Sequence, residues 1–153
     1  MKLKQKELGG YCVAVDAHRR LCLPGRVRSD LGIGKSDRLF LTLDHENVLL
    51  VFRRAEDLKE YAHNLVEKAP NVSRAEGEFL LFSCKAQARL DGRGRIAIPQ
   101  DLFIQSGLGG HDVVKVIVMP NMLAIMDPGA VSKKRTDIVR RLVALNGSRD
   151  TDK

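Results

Sequence analysis

The chain is 153 residues long, room for one domain or two very short ones, and its 26 Lys and Arg against 19 Asp and Glu give a formal net charge of +7. A hydrophobic content of 44% suits a protein with a packed core, and the positive charge favours acidic partners. Aromatic content of 5% with no Trp argues against gripping single strands by serial base stacking, so contact with duplex phosphates fits better.

In chain order, alternating Tyr11, Val13 and Val15 predict a half-buried strand that leads into a turn at Asp16. A second strand, Arg20 to Leu23, ends at Pro24, which suits the first turn of a helix because its missing N–H goes unused there. That helix is about two turns long and stops near Gly32. Apolar runs at Leu39 to Leu43 and Val48 to Phe52 predict two further strands. From Ala55 to Lys68, the spacing of Leu58, Tyr61, Ala62, Leu65 and Val66 predicts an amphipathic helix ended by Pro70. Ser73 and Glu76 stand at capping-box spacing ahead of Phe79 to Phe82, which predicts a second short helix. The β-β-α-β-β grammar then returns: Ala86, Ala88 and Leu90 lead to Asp91, Arg95 to Ile98 ends at Pro99, a short helix stops near Gly107, and apolar runs follow at Val113 to Val118 and Leu123 to Met126. A terminal helix over Lys133 to Leu145 carries Ile138, Val139, Leu142 and Val143 on one side and Lys134, Arg135, Arg140 and Arg141 on the other, ahead of a polar tail from Gly147 that is expected to fray.

The two stretches are copies. Val15 to Pro24 reads V-D-A-H-R-R-L-C-L-P and Leu90 to Pro99 reads L-D-G-R-G-R-I-A-I-P, with Asp16 and Asp91 standing 75 residues apart. At that offset Gly32 meets Gly107, Gly34 meets Gly109, Asp37 meets Asp112, and the apolar positions coincide. The expected fold class is therefore mainly β with short helices (α+β): a first unit over 9–54, a helical connector over 55–82, a second unit over 83–128 and a C-terminal helix and tail over 129–153. One unit is too small to bury an adequate core alone, so the copies should pair with interleaved strands. The connecting and terminal helices are then left to pack on neighbouring subunits.

The turns are where binding chemistry is expected. In Asp91-Gly92-Arg93-Gly94-Arg95 the Asp can bond the turn backbone and the glycines can take φ > 0, while two arginines project from a tight loop. A guanidinium fork can take a phosphate bidentately or read guanine in the major groove. The first copy presents His18, Arg19 and Arg20 consecutively at the same place. The candidate DNA-binding residues are His18, Arg19, Arg20, Arg93 and Arg95, and the candidate turn-shaping residues are Asp16, Asp91, Gly92 and Gly94. An equally open reading is that each Asp pairs with the closing Arg of its own turn and serves only the local structure.

The doubled D-x-x-x-R-[LI]-x-[LI]-P pattern, the intervening helices and Phe82-Ser83 before the second copy resemble the MraZ family of bacterial transcriptional regulators, over roughly Gly9 to Asp127. The resemblance implies two AbrB-like units in a pseudo-symmetric swapped-hairpin barrel. It implies a repressor of the division and cell-wall gene cluster acting at direct repeats upstream of its own gene. It also implies a ring-like homo-oligomer, double-stranded DNA as partner, and a nucleoid-associated place in the cytoplasm. The family's D-x-x-G-R motif falls on Asp16 to Arg20 and Asp91 to Arg95. The second copy matches fully, whereas the first has Arg19 where the family has glycine and His18 where lysine is common. A non-glycine at φ > 0 costs about 1 kcal/mol, so that turn either changes shape or bears the strain.

Other readings find less support. Cys12, Cys22 and Cys84 are odd in number and form no C-x-x-C pair, which points to a reducing compartment; Cys12 and Cys22 either face one another across a hairpin or act as small apolar residues. No two of His18, His45, His63 and His111 have helical zinc-pair spacing, so no metal and no cofactor is expected. Met1 to Gly10 has no apolar h-region and no apolar run approaches the roughly 20 residues of a bilayer span, which argues against secretion and membrane insertion. Gly34-Lys35-Ser36 imitates a P-loop without its first glycine, and Gly92-x-Gly94-x-x-Ala97 imitates a dinucleotide fingerprint but leads into a strand. No catalytic residues are assigned and the chain is read as a non-enzyme. The terminal basic stripe is either a solvated face or a secondary contact with nucleic acid or anionic lipid. The alternative function is a ring-forming scaffold of the same fold without operator recognition. A toxin-neutralising antitoxin fits less well, because those carry one unit and a long tail.

Overall fold

The structure, a computed structural model, describes residues 6–7, 10–34 and 37–151. Period-two alternation becomes strand wherever the sequence predicts it. The first copy holds β2 (Gly10–Ala14), β3 (Arg20–Cys22), α1 (Gly25–Leu31), β4 (Arg38–Leu43) and β5 (Leu49–Phe52), preceded by a two-residue β1 (Lys6–Glu7). The connector holds α2 (Ala55–Glu67) and α3 (Arg74–Phe82). The second copy holds β6 (Ala86–Arg89), β7 (Arg95–Ala97), α4 (Gln100–Gln105), β8 (Val113–Val118) and β9 (Met122–Met126), and α5 (Pro128–Thr151) follows.

The copies do interleave. β2 pairs with β8 while β6 pairs with β4, all antiparallel, and the two ladders have the same register: Tyr11↔Val116 in one is Ala86↔Leu41 in the other. At the centre β5 pairs with β9 and β3 with β7, again one strand from each copy. The result is a seven-stranded antiparallel sheet, ordered β1-β2-β8-β9-β5-β4-β6, beside a two-stranded ribbon β3-β7. These described pairings leave the large sheet open rather than closed into a barrel. The fold is thus mixed α+β, largely antiparallel, with five helices among the described residues.

One local expectation changes. The strands flanking Asp16 do not run on as a hairpin, because after a single bridge, Val15↔Leu21, they part into different sheets. β2 then pairs with β8 and β3 with β7, each a strand of the other copy.

Alternation along the central strands feeds two cores. Leu49 and Val51 of β5 and Leu123 and Ile125 of β9 face the ribbon and the short helices, joining Leu21, Leu23, Ile96, Ile98, Val27 and Phe103. Leu50, Phe52 and Ala124 face the opposite side and pack under Leu58 and Ala62 of α2 and Leu81 of α3. Full burial of each Val, Leu, Ile or Phe among them stabilises the fold by about 1.5–3 kcal/mol. The connector helices approach closely at Gly77, where a Cβ would stand 2.5 Å from Val66 Cγ1 and 3.2 Å from the Ala62 carbonyl oxygen. His63 Nε2 lies 2.6 Å from Glu78 Oε1 and ties the same pair of helices. Thr42 is buried and its hydroxyl donates to the Leu81 carbonyl, fastening α3 to β4.

The termini of the helices follow their capping signals. Both halves of the box at Ser73 and Glu76 are made. α5 begins earlier than expected, since Asp127 Oδ2 accepts from the Ala130 N–H and Pro128 occupies the first turn. It also runs past Gly147 to Thr151, where the sequence predicts fraying; residues 152–153 lie outside the described residues. Among the described residues no helix is long and apolar enough to cross a membrane.

Candidate nucleic-acid interface

The two cation-bearing turns are built alike, atom for atom. Asp16 Oδ1 accepts from the backbone N–H groups of His18 (2.8 Å) and Arg20 (2.9 Å), and its Oδ2 accepts from Arg20 Nε at 2.7 Å. Asp91 Oδ1 accepts from Arg93 N–H (2.8 Å) and Arg95 N–H (2.9 Å), and its Oδ2 accepts from Arg95 Nε at 2.8 Å. The backbone closes both turns in the same way: Arg19 N–H donates to Asp16 O, Gly94 N–H to Asp91 O, and each Asp N–H to the carbonyl of its closing arginine.

These bonds favour the charged carboxylates. Asp16 is held near pKa 2, down from the usual 3.8, above all by the Arg20 backbone N–H, with the Arg20 side chain and the His18 N–H adding to it. Asp91 is likewise lowered, first by the Arg95 backbone N–H. Both closing arginines therefore have one edge committed to their own turn, and about a quarter to a third of each side chain remains exposed. His18 and Arg93 are exposed beside them.

The turns are also locked to one another through the ribbon. Leu23 N–H donates to Gly94 O at 2.9 Å, and the equivalent Ile98 N–H donates to Arg19 O at 3.0 Å. His18, Arg19 and Arg20 thus share one turn, Arg93 and Arg95 share the other, and β3-β7 joins the two turns rigidly.

Position by position, the glycines differ from expectation. Gly94 takes φ 78°, but Gly92 does not take positive φ, and a Cβ there would meet nothing within 4 Å. The first turn keeps its shape and bears the strain: Arg19, at the place of Gly94, has φ 59°. Its side chain is half-buried and Arg19 Nε donates to the Ile98 carbonyl at 3.3 Å.

A further arginine stands at this surface that the motif does not contain. Arg28, on α1, donates from Nε to the Leu23 carbonyl at 3.2 Å, and its Cζ lies 3.0 Å from where a Cβ on Gly94 would be. Its place in a short basic helix just after Pro24 was the available signal. The turn it reaches belongs to the other copy, and only the swapped pairing brings the two together.

Elsewhere the alternatives lose ground. The stretch after Gly92-x-Gly94 is strand β7, not a helix that would face a pyrophosphate. In the P-loop imitation, Lys35 and Ser36 lie outside the described residues. None of the three cysteines is in a disulfide, and Cys22 Sγ is 3.6 Å from the Arg93 carbonyl oxygen. Lys134 Nζ on α5 pairs with Glu46 Oε1 at 2.6 Å, so one member of the terminal basic stripe is already engaged within the chain.

No protein-family model matches the chain. A transcriptional regulator MraZ from Alkaliphilus metalliredigens is 33% identical over 97 residues, covering 62% of this chain and 64% of that protein. That of Cytophaga hutchinsonii is 26% identical over 130 residues, 82% of either chain. The transcriptional regulator MraZ of Thioalkalivibrio sulfidiphilus is 31% identical over 125 residues, covering 80% of this chain and 81% of the relative. The chain belongs to the MraZ family. It spans slightly less than two thirds of the length of the Alkaliphilus relative. Arg19 in the first turn leaves its backbone hydrogen bonds the same as those of the second, where Gly94 stands.

Proposed function

We propose that this MraZ-family chain is a sequence-specific DNA-binding transcriptional regulator that meets duplex DNA with the turns Asp16–Arg20 and Asp91–Arg95. One observation carries the reading: two equivalent turns, locked by equivalent hydrogen bonds, hold five basic or potentially basic side chains on a rigid ribbon. Of these, Arg19, Arg20 and Arg95 are preset by Nε bonds and lose little entropy on meeting phosphates, and base contacts from the same loops supply sequence preference. The relatives' name, transcriptional regulator, supports the same conclusion. In this reading the chain acts as a repressor of the division and cell-wall gene cluster at direct repeats upstream of its own gene. It works without catalysis, on the nucleoid.

The fold reading that goes with it treats 9–54 and 83–128 as AbrB-like units in a swapped-hairpin arrangement, bridged by 55–82. Several subunits then form a ring, so that individually weak turns bind repeats together through effective concentration. Two exposed apolar surfaces support self-association. Phe79, Leu80 and Phe82 are exposed on α3, and Ile138, Val139 and Leu142 are exposed on α5. They lie on different elements, so a contact of one with the other between copies would be head-to-tail.

A second reading is favoured by the internal pairing of Arg20 with Asp16 and Arg95 with Asp91: a ring-forming scaffold whose turns are purely structural. Fluorescence anisotropy separates the two. The regulator reading expects tight, salt-sensitive binding to the duplex upstream of the protein's own gene, resisting scrambled competitor and weakened by Arg20→Ala. An assembled protein that does not distinguish that duplex from competitor supports the scaffold instead.

A further inference from the structure

The pseudo-symmetry of the two turns extends to a guanidinium that the sequence repeat does not reveal. Leu23 and Ile98 are equivalent residues, each closing a ribbon strand just before a proline. Each carbonyl accepts from an arginine Nε, at 3.2 Å from Arg28 and 3.3 Å from Arg19. Yet Arg19 and Arg28 are not equivalent positions. The repeat partner of Arg19 is Gly94, and the partner of Arg28 is Phe103, which is turned into the core and 5% exposed.

The two substitutions compensate. Beside the second turn, Gly94 has no side chain and the Arg28 guanidinium lies over its α-carbon, entering from α1. Beside the first turn, α4 offers Phe103 in place of an arginine, and the guanidinium comes from the turn itself, through Arg19. The same location relative to ribbon and turn is thus filled twice, from two different sequence positions. Arg19 accepts φ 59° where glycine would serve the turn without strain, and its Nε bond to the Ile98 carbonyl offsets that strain.

We propose that Arg28 and Arg19 form a matched pair of duplex phosphate-contact sites, one beside each turn, so that Arg28 belongs to the DNA-binding surface although it lies outside the repeated motif. The inference rests on the reading of the turns as the duplex-facing surface. Each guanidinium spends Nε on a carbonyl, which fixes its plane, and keeps its terminal nitrogens for a phosphate oxygen. Neither arginine is more than partly buried.

The test uses the full chain and a duplex carrying the upstream region, with affinity measured across a salt series for wild type, Arg28→Lys, Arg28→Gln and the double variant Arg19→Gln/Arg28→Gln. A protein that neutralises phosphates shows a log–log salt slope near −0.9 per phosphate. Arg28→Gln is expected to weaken binding and flatten the slope by about one such increment, and the double variant by about two. Arg28→Lys should retain the wild-type slope, because charge is kept while the fixed plane is lost. Thermal melting run alongside separates binding from folding. A normally melting Arg28→Gln with an unchanged slope overturns the proposal while leaving the turns' role standing. A Lys variant as flat as the Gln variant also overturns it, since the residue would then act through the hydrogen bond alone. Wild type with no salt-dependent duplex binding overturns both the proposal and the reading beneath it.

Discussion

Leu21 and Ile96, equivalent positions in the two copies, lie directly opposite one another in the β3-β7 ribbon, and both are fully buried. The contact joins the copies at the point from which both cation-bearing turns depart. Leu21→Ala should lower unfolding free energy by about 2–5 kcal/mol, as buried Leu truncations do. Ile96→Ala should act similarly, and the double variant should lose less than the two singles together, because the shared contact can be lost only once. Urea unfolding of the four proteins measures this; strict additivity would mean that the ribbon does not couple the copies.

Gly94 and Arg19 occupy the same turn position and should respond differently to substitution. Gly94→Ala places a Cβ at φ 78° and 3.0 Å from Arg28 Cζ, and should destabilise by about 1–2 kcal/mol. Arg19→Gly relieves comparable strain but loses the bond to the Ile98 carbonyl, worth about 1 kcal/mol, so its melting midpoint should stay close to wild type. A large stability loss in Arg19→Gly would show that its hydrogen bond outweighs the backbone strain.

The depressed Asp16 carboxyl sets an acid limit on the turns. Its folded-state pKa is about 2 against an ordinary 3.8, so its contribution to stability is fully present well above pH 4 and is lost as pH falls through about 2. Asp91 is shifted in the same direction. Melting midpoints recorded down a pH series should fall less steeply for Asp16→Asn than for wild type in that window. Parallel curves would mean that the aspartate's bonds survive protonation or are not made in solution.

Phe79 is 75% exposed on α3, against a connector core that does not need it. Phe79→Glu should leave the melting midpoint nearly unchanged and shift the protein to smaller species in sedimentation velocity. An unchanged sedimentation profile would place the contact between subunits elsewhere.

Most strands and helices were legible because they follow local rules. Alternation gave the strands, Pro24 and Pro99 the helix starts, and Ser73 with Glu76 a cap that closes as expected. What was not legible depends on long-range pairing. That the copies interleave was expected from the small size of one unit, but which strands meet, β2 with β8 and β3 with β7, is encoded by nothing local to Asp16. Gly92 and Gly94 look alike in sequence, but only the second sits where the turn needs positive φ. Arg28 went unseen because its neighbour Gly94 is remote along the chain. The early start of α5 was readable in Asp127-Pro128, and its continuation past Gly147 was not.

The central claim is that duplex DNA meets the chain at the two turns, and hydrogen–deuterium exchange of the full-length protein with and without the upstream duplex tests it most directly. Slower exchange confined to peptides covering Asp16–Arg20, Asp91–Arg95 and the start of α1 is the predicted result. Protection that falls on the exposed basic face of α5, with both turns exchanging as they do without DNA, would contradict it.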